Sequence, residues 1–288
     1  MKFATIKRIL QKKLAEWLET VEDEQLRIAL ARNSIISGGC FTSLLCGEGY
    51  NDIDVYFRDA ETVERVMLYY SRHADGLDVC RTDFTNIRGE VESRYFMQSG
   101  DGTLARVISV PEVAIRASLW KMPKSKTPYA PRVFTSNAIS LNNKIQLITR
   151  FFGEPGKIHS NYDFEHAKCW YDVGTQQLHI PESAMSAILQ KRLVYTGSLY
   201  PLCSLLRTRK FLARGWTIDL FNMLRIMTDV RALNFDDMRT MRDQLMGVDA
   251  VYVSAALDIA ESADWATFME HLGKAFEHME ESEDDGDD

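Results

Sequence analysis

The segment SIISGGCFTSLLCGEGYNDIDVYF, residues 34–57, constrains this chain more than any other. An apolar strand around Ile35 and Ile36 runs into Gly38-Gly39, a short helical stretch follows at Thr42–Leu45, and a second strand, Asp52–Phe57, carries Asp52 and Asp54. Strand side chains alternate between faces, so the two aspartates project to one side while Ile53 and Val55 enter a core. Two carboxylates a few ångströms apart repel each other and attract a hard divalent cation such as Mg²⁺ or Mn²⁺. Glycines at a helix N-terminus let the backbone approach an anion and offer N–H donors to a phosphate. Each half has a bland alternative, a tight turn or a solvated strand end. Together they supply what transfer of a nucleotidyl group requires, a phosphate cradle beside paired metal ligands.

The 288 residues suffice for two domains or one domain with an appendage. The formal charge of −7 is concentrated at the end, where MEESEDDGDD holds seven acids and no base. Without them the body is formally neutral, and residues 280–288 read as a disordered acidic tail. A neutral body lacks the cationic excess of a strong RNA binder. Five cysteines without metal spacing read as reduced thiols of a cytoplasmic protein. The first residues are amphipathic and interrupted by charge, unlike a signal peptide, and no apolar run is long enough to span a membrane.

Helical periodicity covers residues 3–19, 23–32 and Glu61–His73, the last with Val63, Val66, Met67 and Tyr70 on one face. Leu77–Thr82 and Ala105–Val110 read as strands. Pro111 opens a helix, EVAIRASLWK, and Lys121–Arg132 reads as a loop with three prolines and four cations. Strands at NAISL and KIQLITRF, a short helix in GEPGKIHSNY and a strand through DFEHAKCWYDV complete a mixed half. From Glu182 to about Met279 the pattern is helical, with Arg207–Arg214 a basic helix closed by Gly215. Met223, Met227, Met238, Met241 and Met246 read as core filler, and His159, His166 and His179 as structural rather than metal-binding. The expected architecture is α+β: a head over 1–180 with an insertion near 75–135, then a helical neck and body over 181–279.

Four blocks in one order resemble the CCA-adding enzymes and bacterial poly(A) polymerases of the nucleotidyltransferase superfamily. The first is Gly38-Gly39, Leu44-Leu45, Gly47 and Asp52-Ile53-Asp54. The second is Ile145-Gln146-Leu147-Ile148-Thr149-Arg150, and the third runs from Asp163-Phe164 to Tyr171-Asp172. The fourth is Arg207-Thr208-Arg209-Lys210-Phe211 through Gly215-Trp216-Thr217-Ile218. Thr42 and Ser43 stand where the family has Arg-Asp, Gln146 where it has a third carboxylate, and Asn161-Tyr162 where it has paired arginines. The chain thus resembles a divergent relative of that family, of a kind that occurs in bacteriophages.

The resemblance implies a nucleotidyltransferase-type mixed sheet with Asp52 and Asp54 holding Mg²⁺ or Mn²⁺. It implies an NTP substrate, ATP or CTP, whose phosphates meet Ser37, Gly38, Gly39 and Ser43. Asp163 accepts from the ribose or serves as a third metal ligand, with Glu165, two residues on along the same strand, a second candidate. Arg207 and Lys210, three apart on one helix face, reach phosphate or base. The implied acceptor is an RNA 3′ end. The departures keep open a protein or small-molecule acceptor, or a catalytically silent protein that binds nucleotide or RNA. Oligomeric state is not written in the sequence.

Overall fold

Ile6, Leu10, Leu14 and Trp17 recur at helical spacing, and all four are buried on the inner face of α1 (Phe3–Glu19). Burying side chains of this size contributes about 1.5–3 kcal/mol each. Trp17 also donates from Nε1 to Tyr70 Oη at 2.8 Å, which ties α1 to α4 (Ala60–Ser71). The expected face of α4 is the buried one: Val63, Val66, Met67 and Tyr70 all lie in the core. The chain between them runs α2 (Glu24–Asn33), β1 (Ser34–Ser37), α3 (Gly39–Cys46) and β2 (Ile53–Phe57). This computed structural model describes residues 1–72, 77–85, 89, 91–99, 120–121, 125–134, 137–234, 244 and 270.

The α4 N-terminus is built by Asp59. Its carboxylate accepts from Thr62 N at 2.7 Å and from Asn33 Nδ2 at 2.9 Å. Asp59→Ala removes both bonds, and a loss of about 1–2 kcal/mol is expected in urea unfolding. A loss under half of that shows that the cap and the Asn33 link contribute little.

After α4 come β3 (Leu77–Thr85) and β4 (Val91–Ser99), an antiparallel pair separate from the main sheet. The chain continues through β5 (Trp120–Lys121), β6 (Pro131–Phe134), β7 (Ala138–Leu141), β8 (Ile145–Ile148), α5 (Pro155–His159), β9 (Trp170–Asp172) and β10 (Gln177–His179). The main sheet has the order β10-β9-β1-β2-β8-β7-β6-β5. It is mixed, with β2 and β8 parallel and the other neighbours antiparallel. The expected α+β class with a mixed sheet is therefore what the chain forms.

Register decides which side chains meet. Tyr171, Ile36, Val55, Leu147 and Ile139 are cross-strand partners in an unbroken row, and all are buried against the helices. One residue along each strand lies the opposite row: His179, Trp170, Ser37, Asp54, Gln146 and Ser140. A one-residue slip would exchange the two rows, so burial of the apolar row locks the register of the polar one.

The C-terminal half holds α6 (Glu182–Leu189), α7 (Pro201–Ala213) and α8 (Leu220–Arg231). It is not purely helical, because β11 (Arg192–Leu193) pairs with β12 (Thr217–Ile218). Gly215, at φ +76°, closes α7 as expected. Met223 and Met227 are not core filler, being 46% and 62% exposed. The reason is that α8 turns its polar side inward. Asn222 Oδ1 accepts from Tyr195 N at 2.8 Å, and Asp229 Oδ2 accepts from Tyr195 Oη at 2.7 Å.

Three other expectations change. Trp120 and Lys121 pair with Phe134 and Val133 in the sheet rather than ending a helix, as suits an aromatic residue on a pleated surface. The loop expected through Arg132 becomes strand at Pro131. The strand expected from Asp163 begins only at Trp170, because Glu165–Ala167 forms one 3-10 turn that buries His166. The strand expected at Ala105–Val110, the helix stretch 111–119, Met238, Met241 and Met246, nearly all of the helical stretch expected beyond residue 234 and the acidic tail lie outside the described residues. Among the described residues no helix is long and apolar enough to cross a membrane.

Candidate active site

Asp54 lies mid-row on the polar face, with Ser37 opposite it on one side and Gln146 on the other. Gly38 ends the first strand and caps α3 with φ +106° and ψ −162°, a conformation reserved in practice for glycine. A Cβ placed on Gly38 would stand 2.7 Å from Asp54 Oδ2 and 3.7 Å from Tyr162 Oη. The carboxylate thus occupies the space that the missing side chain leaves. Gly39 begins α3 with nothing within 4 Å of a Cβ, so bare backbone faces outward at the helix N-terminus. Asp52 is exposed and sits just ahead of β2 rather than within it.

The remaining expected residues divide into groups. Ser37 is fully buried, and its hydroxyl donates to Cys169 O and accepts from His159 Nε2, each at 2.9 Å. It is spent inside the protein and anchors the end of β1. Ser43 accepts from Arg214 Nη2 at 3.4 Å, and Arg214 pairs with Glu48, a cluster distinct from the Asp54 row. Asp163 is 8% exposed, and its Oδ2 accepts from Arg207 at 2.7 Å and from Ser204 at 2.9 Å. It does not join Asp52 and Asp54 as a third metal ligand: among the described residues no three Asp, Glu, His or Cys side chains form a metal-holding group. Glu165 leaves the site altogether, because the 3-10 turn directs its carboxylate to Lys168 and Ser183, both at 3.0 Å. Arg207 and Lys210 share α7, and the Arg207 charge also reaches Tyr56. Lys210 is partly exposed one turn further along.

Sequence reasoning missed Tyr56 and Tyr162 as part of the site, while His159, read as structural, holds Ser37. Tyr162 packs on His159 and Tyr56 with ring centroids 5.2 and 6.1 Å away. Its phenol is held far above the usual range by burial first and by the Asp54 charge second, so it stays protonated. The signal was present in the spacing, since Tyr162 precedes Asp163 at the position of the family's second arginine.

The donor set fits a hard cation. Asp54 lies across from Gln146 on β8, with Asp52 just ahead of β2, and Mg²⁺ is commonly held by one or two carboxylates with substrate phosphates completing the shell. The exposed α3 N-terminus beside them favours a phosphate.

Burial lowers the pKa of both His159 and His166 to about 4. His166 is packed among Phe164, Phe211 and Trp216. The unfolded chain takes up these protons near pH 6.5, before the folded one does. Stability is therefore full above pH 6.5 and falls toward pH 4, with His166 alone costing about 3 kcal/mol across the window. Chemical denaturation at stepped pH tests this, and His166→Phe is expected to flatten the slope. An unchanged slope in that variant removes His166 as its cause.

The Gabija anti-defense 2 (Gad2) family profile matches residues 8–191. The chain belongs to this family. A curated relative, "Gabija anti-defense 2" of Bacillus phage SPbetaL7, is 22% identical over 228 residues, covering 78% of this chain and 44% of that protein. Among solved structures, the Thermotoga maritima CCA-adding enzyme complexed with tRNA is similar with a TM-score of 0.39 and 12% identity, over 90% of this chain and 55% of that one. A tRNA-processing enzyme with CTP is similar with a TM-score of 0.38 and 13% identity, over 88% and 56%. The chain thus spans less than half of its Gad2 relative and little more than half of these enzymes.

Proposed function

We propose that this Gad2 protein is a metal-dependent nucleotidyltransferase, a divergent relative of the CCA-adding enzymes and poly(A) polymerases, working against the Gabija defence. It moves an NMP from ATP or CTP to an acceptor hydroxyl, with an RNA 3′ end as the favoured acceptor. The observation that carries this reading is Asp54 in register between Ser37 and Gln146, pressed against Gly38 at an exposed helix N-terminus.

In this reading Asp52 and Asp54 hold Mg²⁺ or Mn²⁺, which when bound neutralises the triphosphate and lowers the pKa of the attacking hydroxyl. The Gly38 and Gly39 backbone receives the β- and γ-phosphates. Asp163, fixed by Ser204 and Arg207, accepts from the ribose, and Arg207 and Lys210 face phosphate or base. Ser37 positions the strand end, and Ser43 supports α3 through Arg214. The acceptor oxygen bonds to the α-phosphorus, pyrophosphate leaves with the bonding electron pair, and the hydroxyl proton passes to water.

A second reading is a silent protein that binds nucleotide or RNA without turnover. Gln146 favours it, because a neutral amide stands directly across from Asp54. Incubation with each α-labelled NTP, Mg²⁺ or Mn²⁺ and total RNA separates the two. Label in RNA establishes transfer and its acceptor, and label in protein moves the acceptor class. No label from folded protein that still binds NTP gives the silent reading.

A further inference from the structure

The Tyr162 hydroxyl is sealed from water, yet it has no hydrogen-bond partner among the described residues. A buried hydroxyl without a partner is destabilising, so its retention calls for a use. The Ser37 and Tyr56 hydroxyls lie close enough to lower its pKa, and the charge that acts on it most is that of Asp54. Both the phenol oxygen and Asp54 Oδ2 converge on the space left open by Gly38, at 3.7 and 2.7 Å from the same point. The ring cannot easily swing away. It packs on His159, whose Nε2 is fixed by Ser37, which is in turn fixed by the Cys169 carbonyl.

We infer that Tyr162 is a positioning residue for Asp54: its hydroxyl donates to the carboxylate when Asp54 turns to hold the cation. The role rests on the metal-dependent reading above. It follows from three features. The phenol carries a hydroxyl hydrogen and so can donate. Being sealed, it is out of direct reach of nucleotide. The carboxylate that shares the Gly38 space with it, Asp54, can accept a charge-assisted bond. Donors behind a ligating carboxylate fix its orientation, and their removal typically weakens metal binding tenfold or more. Sequence comparison alone would record position 162 as a lost arginine, whereas here it supports the metal-binding aspartate.

Tyr162→Phe keeps the ring and removes the donor. Mn²⁺ titration followed by electron paramagnetic resonance, with and without a non-hydrolysable ATP analogue, reads the effect directly. The expected result is about tenfold weaker Mn²⁺ binding, unchanged nucleotide binding in EDTA, and a melting temperature equal to or above that of the native protein. Equal Mn²⁺ affinity in variant and native protein overturns the assignment while leaving the parent reading intact. Equal losses with and without metal also overturn it, since the hydroxyl then serves nucleotide or fold. A melting point several degrees lower shows that the hydroxyl was already bonded in the fold, with the same consequence. Native protein that binds no Mn²⁺ in either condition overturns both this assignment and the metal-dependent reading.

Discussion

Asp54→Asn is expected to reduce nucleotidyl transfer by at least about a thousandfold, a barrier increase of about 4 kcal/mol. The substitution keeps size and shape but removes the charge at the centre of the polar row. Neither cross-strand neighbour replaces it, since Ser37 and Gln146 are both neutral. Asp52 alone, exposed ahead of the strand, cannot hold the cation in a fixed place. Stability is expected to stay level or rise slightly, because the charge no longer sits beside the buried Tyr162 and Cys40, whose pKa values it raises. Labelled-NTP transfer and a thermal melt on the same preparation check both halves. Transfer within tenfold of native removes Asp54 from the chemistry.

The polar row was legible in part because its parts obey short-range rules. Period-two alternation put Ile53 and Val55 inside and Asp54 outside, and that is how β2 forms. Glycine followed by a helix start at residues 38–39 likewise has a local cause. The pairing of Asp54 with Gln146 has none: the two strands are parallel and joined through a long intervening stretch of chain, so only the motif resemblance singled Gln146 out. Ser37 shows the limit of residue type as a guide. A serine beside a glycine pair reads as a phosphate ligand, but its hydroxyl is consumed by Cys169 and His159, which come from distant segments. Glu165 fails for a related reason. The apolar surroundings of His166 impose a turn where alternation suggests strand, and the turn carries the carboxylate to Lys168 and Ser183. Tertiary packing overrides a local pattern in both cases.

The glycine pair gives the second large effect, and its two members are expected to behave oppositely. Gly38→Ala meets two obstacles. The backbone at φ +106° and ψ −162° is strained for any residue with a Cβ, and the new methyl falls 2.7 Å from Asp54 Oδ2. The first obstacle costs about 1–3 kcal/mol. The second is relieved only by moving the carboxylate, which withdraws it from the cation position and from Tyr162. Gly38→Ala should therefore lose about 2 kcal/mol of stability and as much transfer as Asp54→Asn. Gly39→Ala meets no atom within 4 Å, and its φ lies outside the left-handed range. It should be neutral or stabilising by about 0.5 kcal/mol, through the smaller entropy of the unfolded chain. Side-by-side urea unfolding and transfer assays read the contrast. Equal effects at the two positions would show that the pair acts only as a flexible turn. Loss confined to position 38, in both assays, ties the fold of the turn to the placement of Asp54.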